Sequence, residues 1–240
     1  MSHFYIEKVF NNNVVLARDE TGGEEAVLVG KGLGFNVKWG NIISSERAEK
    51  IFFFMEKNKF KELSKFNEGI VGITEEIITM VSKELKDPLN EHIHVALADH
   101  IGFTLGRLKA GFEINNPFLE EIKALYTKEY ELACNAVTLI QEKMEVDIPE
   151  GETGFIAMHI HSARINSDIS KTVKSTFMIN KMVDIIEKEL QIKLDRHDSH
   201  YTRLVIHLRF ALNRIENGVP IKNPLLSSIK RKFNRSYEVS

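Results

Sequence analysis

The chain carries a single cysteine, Cys134, so it cannot close a disulfide within itself, and that economy fits a reducing cytoplasm. An excess of one charge is also missing. The 32 lysines and arginines face 34 aspartates and glutamates, for a formal net charge of −2, so no global basic field advertises a nucleic-acid binder. No apolar run approaches the roughly 18 residues that a membrane-spanning helix needs, and the opening MSHFYIEKVF is too short and too charged to read as a secretory signal. The usual signatures of enzymes are lacking too. There is no HExxH, no nucleophile motif and no evident carboxylate pair. The glycine-rich run Gly30-Lys31-Gly32-Leu33-Gly34-Phe35 is not a GxGxxG and no helical pattern follows it, so it does not read as a dinucleotide site. We therefore expect no enzyme, no cofactor and no resident metal.

What the chain does have is a repetition. Residues 100–133 and 207–240 align without gaps at 13 identical positions of 34, against about two expected by chance. The shared positions include His100/His207, Arg107/Arg214, Gly111/Gly218, Asn116/Asn223, Pro117/Pro224 and Tyr130/Tyr237. A duplicated unit built around a helix-borne histidine points to a duplicated regulatory module. The first copy continues past Ala133 into a helix that carries His159, whereas the second is read as incomplete at Ser240.

Two styles of sequence divide the chain. Segments 4–10, 13–18, 26–31 and 51–55 are rich in Val, Ile, Phe and Tyr and are broken by Asn, Gly and Asp, which predicts a small all-β unit of about four strands over 1–57. So small a unit buries little surface alone, which makes a dimer a natural remedy. The run Ile51-Phe52-Phe53-Phe54-Met55 would be hazardous as an open edge and is expected in a core or interface. Residues 58–66 read as a polar linker. Beyond them the apolar spacing is helical. Ile93, Leu97, Ile101, Leu105 and Leu108 keep one face of a helix over 91–109, with Asn90 as its cap and Gly111 at its left-handed end. Asn116-Pro117 opens the next helix, and further helices follow at 128–145, 153–165 and 171–191. The expected architecture is thus a β unit at 1–57, a complete helical bundle at 67–170 and an incomplete second one at 171–240.

The chemistry-bearing candidates are histidines and asparagines. A lone helical histidine is most often a satisfied boundary residue, but the recurrence of His100 as His207 argues for more. Neutral imidazole is a nucleophile able to accept a phosphoryl group, and the charge of about −2 that then appears is large enough to reorder an interface. His159 and His161 lie two apart on a presumed helix and point in different directions, so they cannot chelate one metal. A metal centre would require His100 and His159 to converge in space. In the β unit, Lys8, the run Asn11-Asn12-Asn13 and the glycine loop ending in Phe35 offer donors, acceptors and a stacking face that suit unstacked RNA bases. The unit itself is slightly acidic, with seven basic residues against eight acidic ones over 1–57, so binding would rely on a focal patch of Lys8, Lys31 and Lys38.

These residues resemble a known family. KVFNNNVV (8–15) and VGKGLGF (29–35) resemble the co-antiterminator RNA-binding domain of BglG/SacY-type transcription antiterminators, and NEHIHVALADHI (90–101) and GFIAMHIHSA (154–163) resemble the phosphotransferase-system regulation domain, or PRD, of the same family. The wording is nearest to the antiterminators of glucose phosphotransferase operons. The resemblance implies a dimer that holds a leader-RNA hairpin so that a terminator cannot form. It implies RNA contacts at Lys8, Asn11, Asn13, Gly30, Lys31 and Phe35, and phosphorylation at His100, His159 and His207. It implies as partners the sugar permease (enzyme II) and the phosphocarrier protein of the phosphotransferase system, with no membrane insertion. Other readings are a PRD-bearing DNA-binding regulator, which would need a helix-turn-helix where strands are expected, a histidine-based metal-binding protein, and a purely structural helical repeat.

Overall fold

The alternation of branched and polar residues near the N-terminus produces strands because each face of the ribbon finds its own apolar partner. In the computed structural model, which describes residues 2–54, 62–63, 65–219 and 225–239, five antiparallel strands form: β1 (His3–Asn11), β2 (Val14–Asp19), β3 (Glu25–Val29), β4 (Ile42–Ser44) and β5 (Lys50–Phe53), in the order β4-β1-β2-β3-β5. The expectation of about four strands missed β4, whose three residues are too short to show a period. The sheet is buried on both sides. One face gathers Phe4, Ile6, Val15, Ala17, Leu28 and Leu33. The other gathers Phe10, Val14, Leu16, Val27 and Val29 around Val71 of the first long helix.

Strand β1 serves both faces because its register against β2 slips between Ile6 and Lys8 and again between Val9 and Asn11. An extra residue in a strand reverses which side the following residues take. Phe4 and Ile6 therefore point to one core, whereas Phe10 joins the opposite one. Strand β5 is an edge, and its aromatic run is divided. Phe52 and Phe54 meet the ring of His94 at centroid distances of 4.8 and 5.2 Å, while Phe53 stays exposed. Met55 and most of the linker expected at 58–66 lie outside the described residues.

Nine helices follow among the described residues: α1 (Glu68–Leu85), α2 (His92–Lys109), α3 (Leu119–Leu125), α4 (Thr127–Met144), α5 (Glu150–Arg164), α6 (Ile169–Leu190), α7 (Ser199–Glu216), α8 (Leu226–Lys232) and α9 (Asn234–Val239). Asn67 caps α1 by accepting from the Gly69 amide at 2.9 Å, and Asn90 accepts from the His92 amide at 2.8 Å at the start of α2. Asn116 does the same for Phe118 ahead of α3, at 3.0 Å. The sequence repeat is a structural one. Helices α7 and α8 begin and end 107 residues after α2 and α3. Gly111 and Gly218 both turn left-handed, with φ of 75° and 64°, and the amides that follow them donate to the carbonyls of Arg107 and Arg214 at 3.1 and 2.9 Å. A continuous core runs from Ile73, Ile77 and Val81 through Leu97, Ile101, Ala136, Ile140 and Ile160 to Ile179 and Val205, so the second helical unit is packed against the first. Each of the branched aliphatic side chains among them contributes roughly 1.5–3 kcal/mol by leaving water.

Candidate functional sites

The first site is the tip of the β1–β2 hairpin. Asn11 accepts from the Asn13 amide through its side-chain oxygen, at 2.8 Å, which shapes the turn. The glycine loop then folds onto this tip. Gly30 donates to the Asn13 carbonyl and Gly34 to the Asn12 carbonyl, both at 2.9 Å, and Gly32 donates to the Asn13 side-chain oxygen at 2.9 Å. Glycine at 34 is dictated by this closeness, because a Cβ there would lie 2.1 Å from the Asn11 carbonyl oxygen. Asn11, Asn13, Gly30 and Lys31 are therefore brought together at one end of the sheet, with Lys8 further along β1 opposite Leu16. Lys31 and Phe35 are exposed on its rim. Lys8, Asn11 and Asn13 are instead engaged by α1. Lys8 pairs with Glu68 at 3.0 Å, and the amide groups of Asn11 and Asn13 donate to the two carboxylate oxygens of Glu76 at 2.8 and 3.1 Å.

The second site lies between α2 and α5. His100 and His159, far apart in sequence, stand with ring centroids 4.9 Å apart, and Phe155 flanks His100 at 6.0 Å. Burial, with the neighbouring His100 ring, pushes the His159 imidazole down from its ordinary value to about 3, so it is neutral throughout the physiological range. Glu152, only 2% exposed, lies with one oxygen 2.8 Å from His100 Nε2. That contact is close but not aligned as a hydrogen bond, and the same oxygen accepts from the Thr104 hydroxyl at 2.9 Å. His159 lines a cleft of about 660 Å³ that also touches Asn90, His92, Asp99 and Asp168. Among the described residues no group of three or more His, Cys, Asp and Glu side chains is arranged to hold a metal ion, so the histidines converge without completing a ligand set.

The profile for the PRD domain matches residues 75–163 and 180–240, and the profile for the CAT RNA binding domain matches residues 4–61. Together they cover most of the chain. The chain belongs to the family of PRD-containing transcription antiterminators. It is 35% identical to the transcription antiterminator LicT of Bacillus subtilis (strain 168) over 97% of its own length and 86% of that protein's. It is 37% identical to the PtsGHI operon antiterminator of the same organism, over 99% and 86%. Among solved structures it resembles the crystal structure of GlcT CAT-PRDI, at 41% identity and a TM-score of 0.57, over 68% of this chain and 98% of that one. These relatives are regulators of transcription rather than enzymes.

The remaining histidines of the CAT–PRD chain differ in their surroundings. In the first PRD, His161 stacks on Tyr126 at 4.0 Å and contacts Glu129 at 3.0 Å, which Arg164 also reaches at 3.1 Å. Burial works to raise the Glu129 carboxyl, but the His161 and Arg164 partners win and hold it below the usual carboxylate range. His94 is buried against both oxygens of Glu75 at 2.8 Å, beneath the CAT domain's Phe52 and Phe54. Sequence motifs assign no role to His94. The signal was available in the neighbouring run GITEEIITMV, because carboxylates inside so apolar a helix need partners. His207 of the second PRD is exposed on α7. Arg107 donates to the Glu113 carbonyl at 3.0 Å, tying the end of α2 to the turn that follows it.

Proposed function

We propose that this chain is a transcription antiterminator that binds a hairpin in a leader RNA through Lys8, Asn11, Asn13, Gly30, Lys31 and Phe35, and so keeps the overlapping terminator of a sugar phosphotransferase gene from forming. The sugar is glucose, by likeness to the PtsGHI operon antiterminator and the GlcT proteins. The RNA-bound form is a dimer acting in the cytoplasm. The exposed Tyr5, Trp39 and Ile42 of the CAT domain support a second copy there, since a patch of large apolar side chains is a common mark of an interface. The boundaries expected from the sequence, 1–57, 67–170 and 171–240, remain our division of the chain.

Regulation runs through phosphoryl transfer from a phosphorylated enzyme II permease, with the phosphocarrier protein as a second donor. The P–N bond to an imidazole of His100, His159 or His207 forms as the donor's bond to phosphorus breaks. The observation that carries this reading is the convergence of His100 with a neutral His159, itself on the wall of a cleft, in a chain whose N-terminal part matches an RNA-binding domain. Glu152 gives the modification mechanical effect. A phosphoryl group on His100 brings about two negative charges near a buried carboxylate, and each unit charge at 4 Å costs about 4 kcal/mol at the partial screening of a protein edge. A penalty of several kcal/mol is the scale needed to move a two-state element cleanly. The ring and its helix shift, the dimer loosens, and RNA is released.

The test is readthrough of a leader–reporter fusion in cells. His100→Ala should give readthrough with and without glucose, and continued dependence on glucose would remove His100 from the switch.

A further inference from the structure

The hairpin tip assigned to RNA is not open. Three residues on one stripe of α1, spaced four apart, each meet one part of it. Glu68 takes Lys8 at 3.0 Å, Gly72 receives the Asn11 side chain, and Glu76 takes the amides of Asn11 and Asn13 at 2.8 and 3.1 Å. The fit at Gly72 is tight, since a Cβ there would lie 2.3 Å from the Asn11 amide nitrogen. Val71, beside it, completes the apolar face of the sheet. Glu76 is held in turn by Lys143 of α4, at 2.5 and 2.6 Å, so its carboxylate is fixed to the body of the first PRD.

The chemistry of this stripe copies that of the nucleic acid. A carboxylate on Lys8 stands where a phosphate would, and the carboxylate oxygens on two asparagine amides stand where base-edge acceptors would. We propose that Glu68, Gly72 and Glu76 form an intramolecular competitor for RNA, so that the chain exists in a closed state with α1 on the tip and an RNA-competent state with α1 away from it. The inference rests on the RNA reading of Lys8, Asn11 and Asn13. It adds a second lock to the chain, one made of carboxylates and independent of any phosphoryl group. Apparent RNA affinity is then the intrinsic affinity reduced by the fraction of open molecules.

The experiment uses the unmodified full chain at fixed salt, with an RNA hairpin containing an internal loop as probe and fluorescence anisotropy as readout. Glu76→Ala removes the carboxylate. Gly72→Ala crowds Asn11 off the helix without replacing any residue assigned to RNA, and it keeps the experiment decisive if Glu76→Ala fails to fold. Either folded variant should bind the hairpin about tenfold tighter than the parent, as expected if roughly one molecule in ten is open. Asn13→Ala should weaken binding. Unchanged or weaker binding in both α1 variants, together with a loss in Asn13→Ala, would overturn the competitor and leave the RNA site standing. No effect in any of the three would reject the RNA assignment, and the competitor with it.

Discussion

At the scale of single residues, two buried groups flank His100, one of them a neutral imidazole and the other a carboxyl. His159 is held neutral by burial and by the His100 ring, with its titration moved down to about 3. In the unfolded chain it would take up a proton near pH 6.5. The folded state refuses that proton, so stability from this group is fully present above about pH 6.5 and falls by about 1.4 kcal/mol per unit as pH drops toward 3. Urea midpoints at pH 7.5 and 5.5 should therefore differ more in the parent than in His159→Phe, and equal differences would show that His159 is not the group responsible. Glu152 is the second. Glu152→Gln keeps an acceptor for Thr104 and removes the charge that a phosphoryl group on His100 would oppose. Phosphate incorporation at His100 should persist in this variant while the drop in readthrough without glucose is largely lost. Full regulation in Glu152→Gln would mean that the repulsion acts elsewhere.

At the scale of elements, legibility followed the length of the pattern. The long helices were readable because stripes such as Ile93, Leu97, Ile101 and Leu105 keep one face for more than three turns. Their ends were readable from Asn90, Asn116 and Gly111, where side-chain acceptors or a positive φ leave little choice of residue. Strand β4 was too short to announce itself, and the slips in β1 that turn Phe10 toward α1 leave no trace in composition. The partners of Asn11 and Asn13 were beyond reach for another reason. Glu76 is more than 60 residues away, and no local rule connects a turn to a distant helix face. Helices α3 and α7 join the two PRDs through a buried polar contact. The Tyr201 hydroxyl donates to Glu121, itself 2% exposed, and Asn180 adds a bond at 3.2 Å. Tyr201→Phe should cost about 1–3 kcal/mol, because it leaves part of a buried carboxylate unsatisfied. A melting temperature equal to the parent's would show that Glu121 finds another partner.

At the scale of the molecule, an RNA-binding sheet and two copies of a helical unit share one chain, and the first helical unit packs directly on the sheet through α1. The face of the CAT domain that carries Asn11 and Asn13 is thus the face that meets the first PRD. This arrangement lets a change among the helices reach the RNA site without a long relay, since α1 belongs to the same core as α2, α4 and α5. Lys143 is the visible link, because it pairs with the carboxylate that holds both asparagines. The most direct measurement is hairpin affinity of the purified full chain before and after incubation with a phosphorylated sugar permease, with acid-labile phosphate on His100 and His159 counted by mass spectrometry. Phosphorylated protein should lose hairpin binding in step with the phosphate it carries. Equal affinity in fully phosphorylated and unmodified protein would contradict this switch.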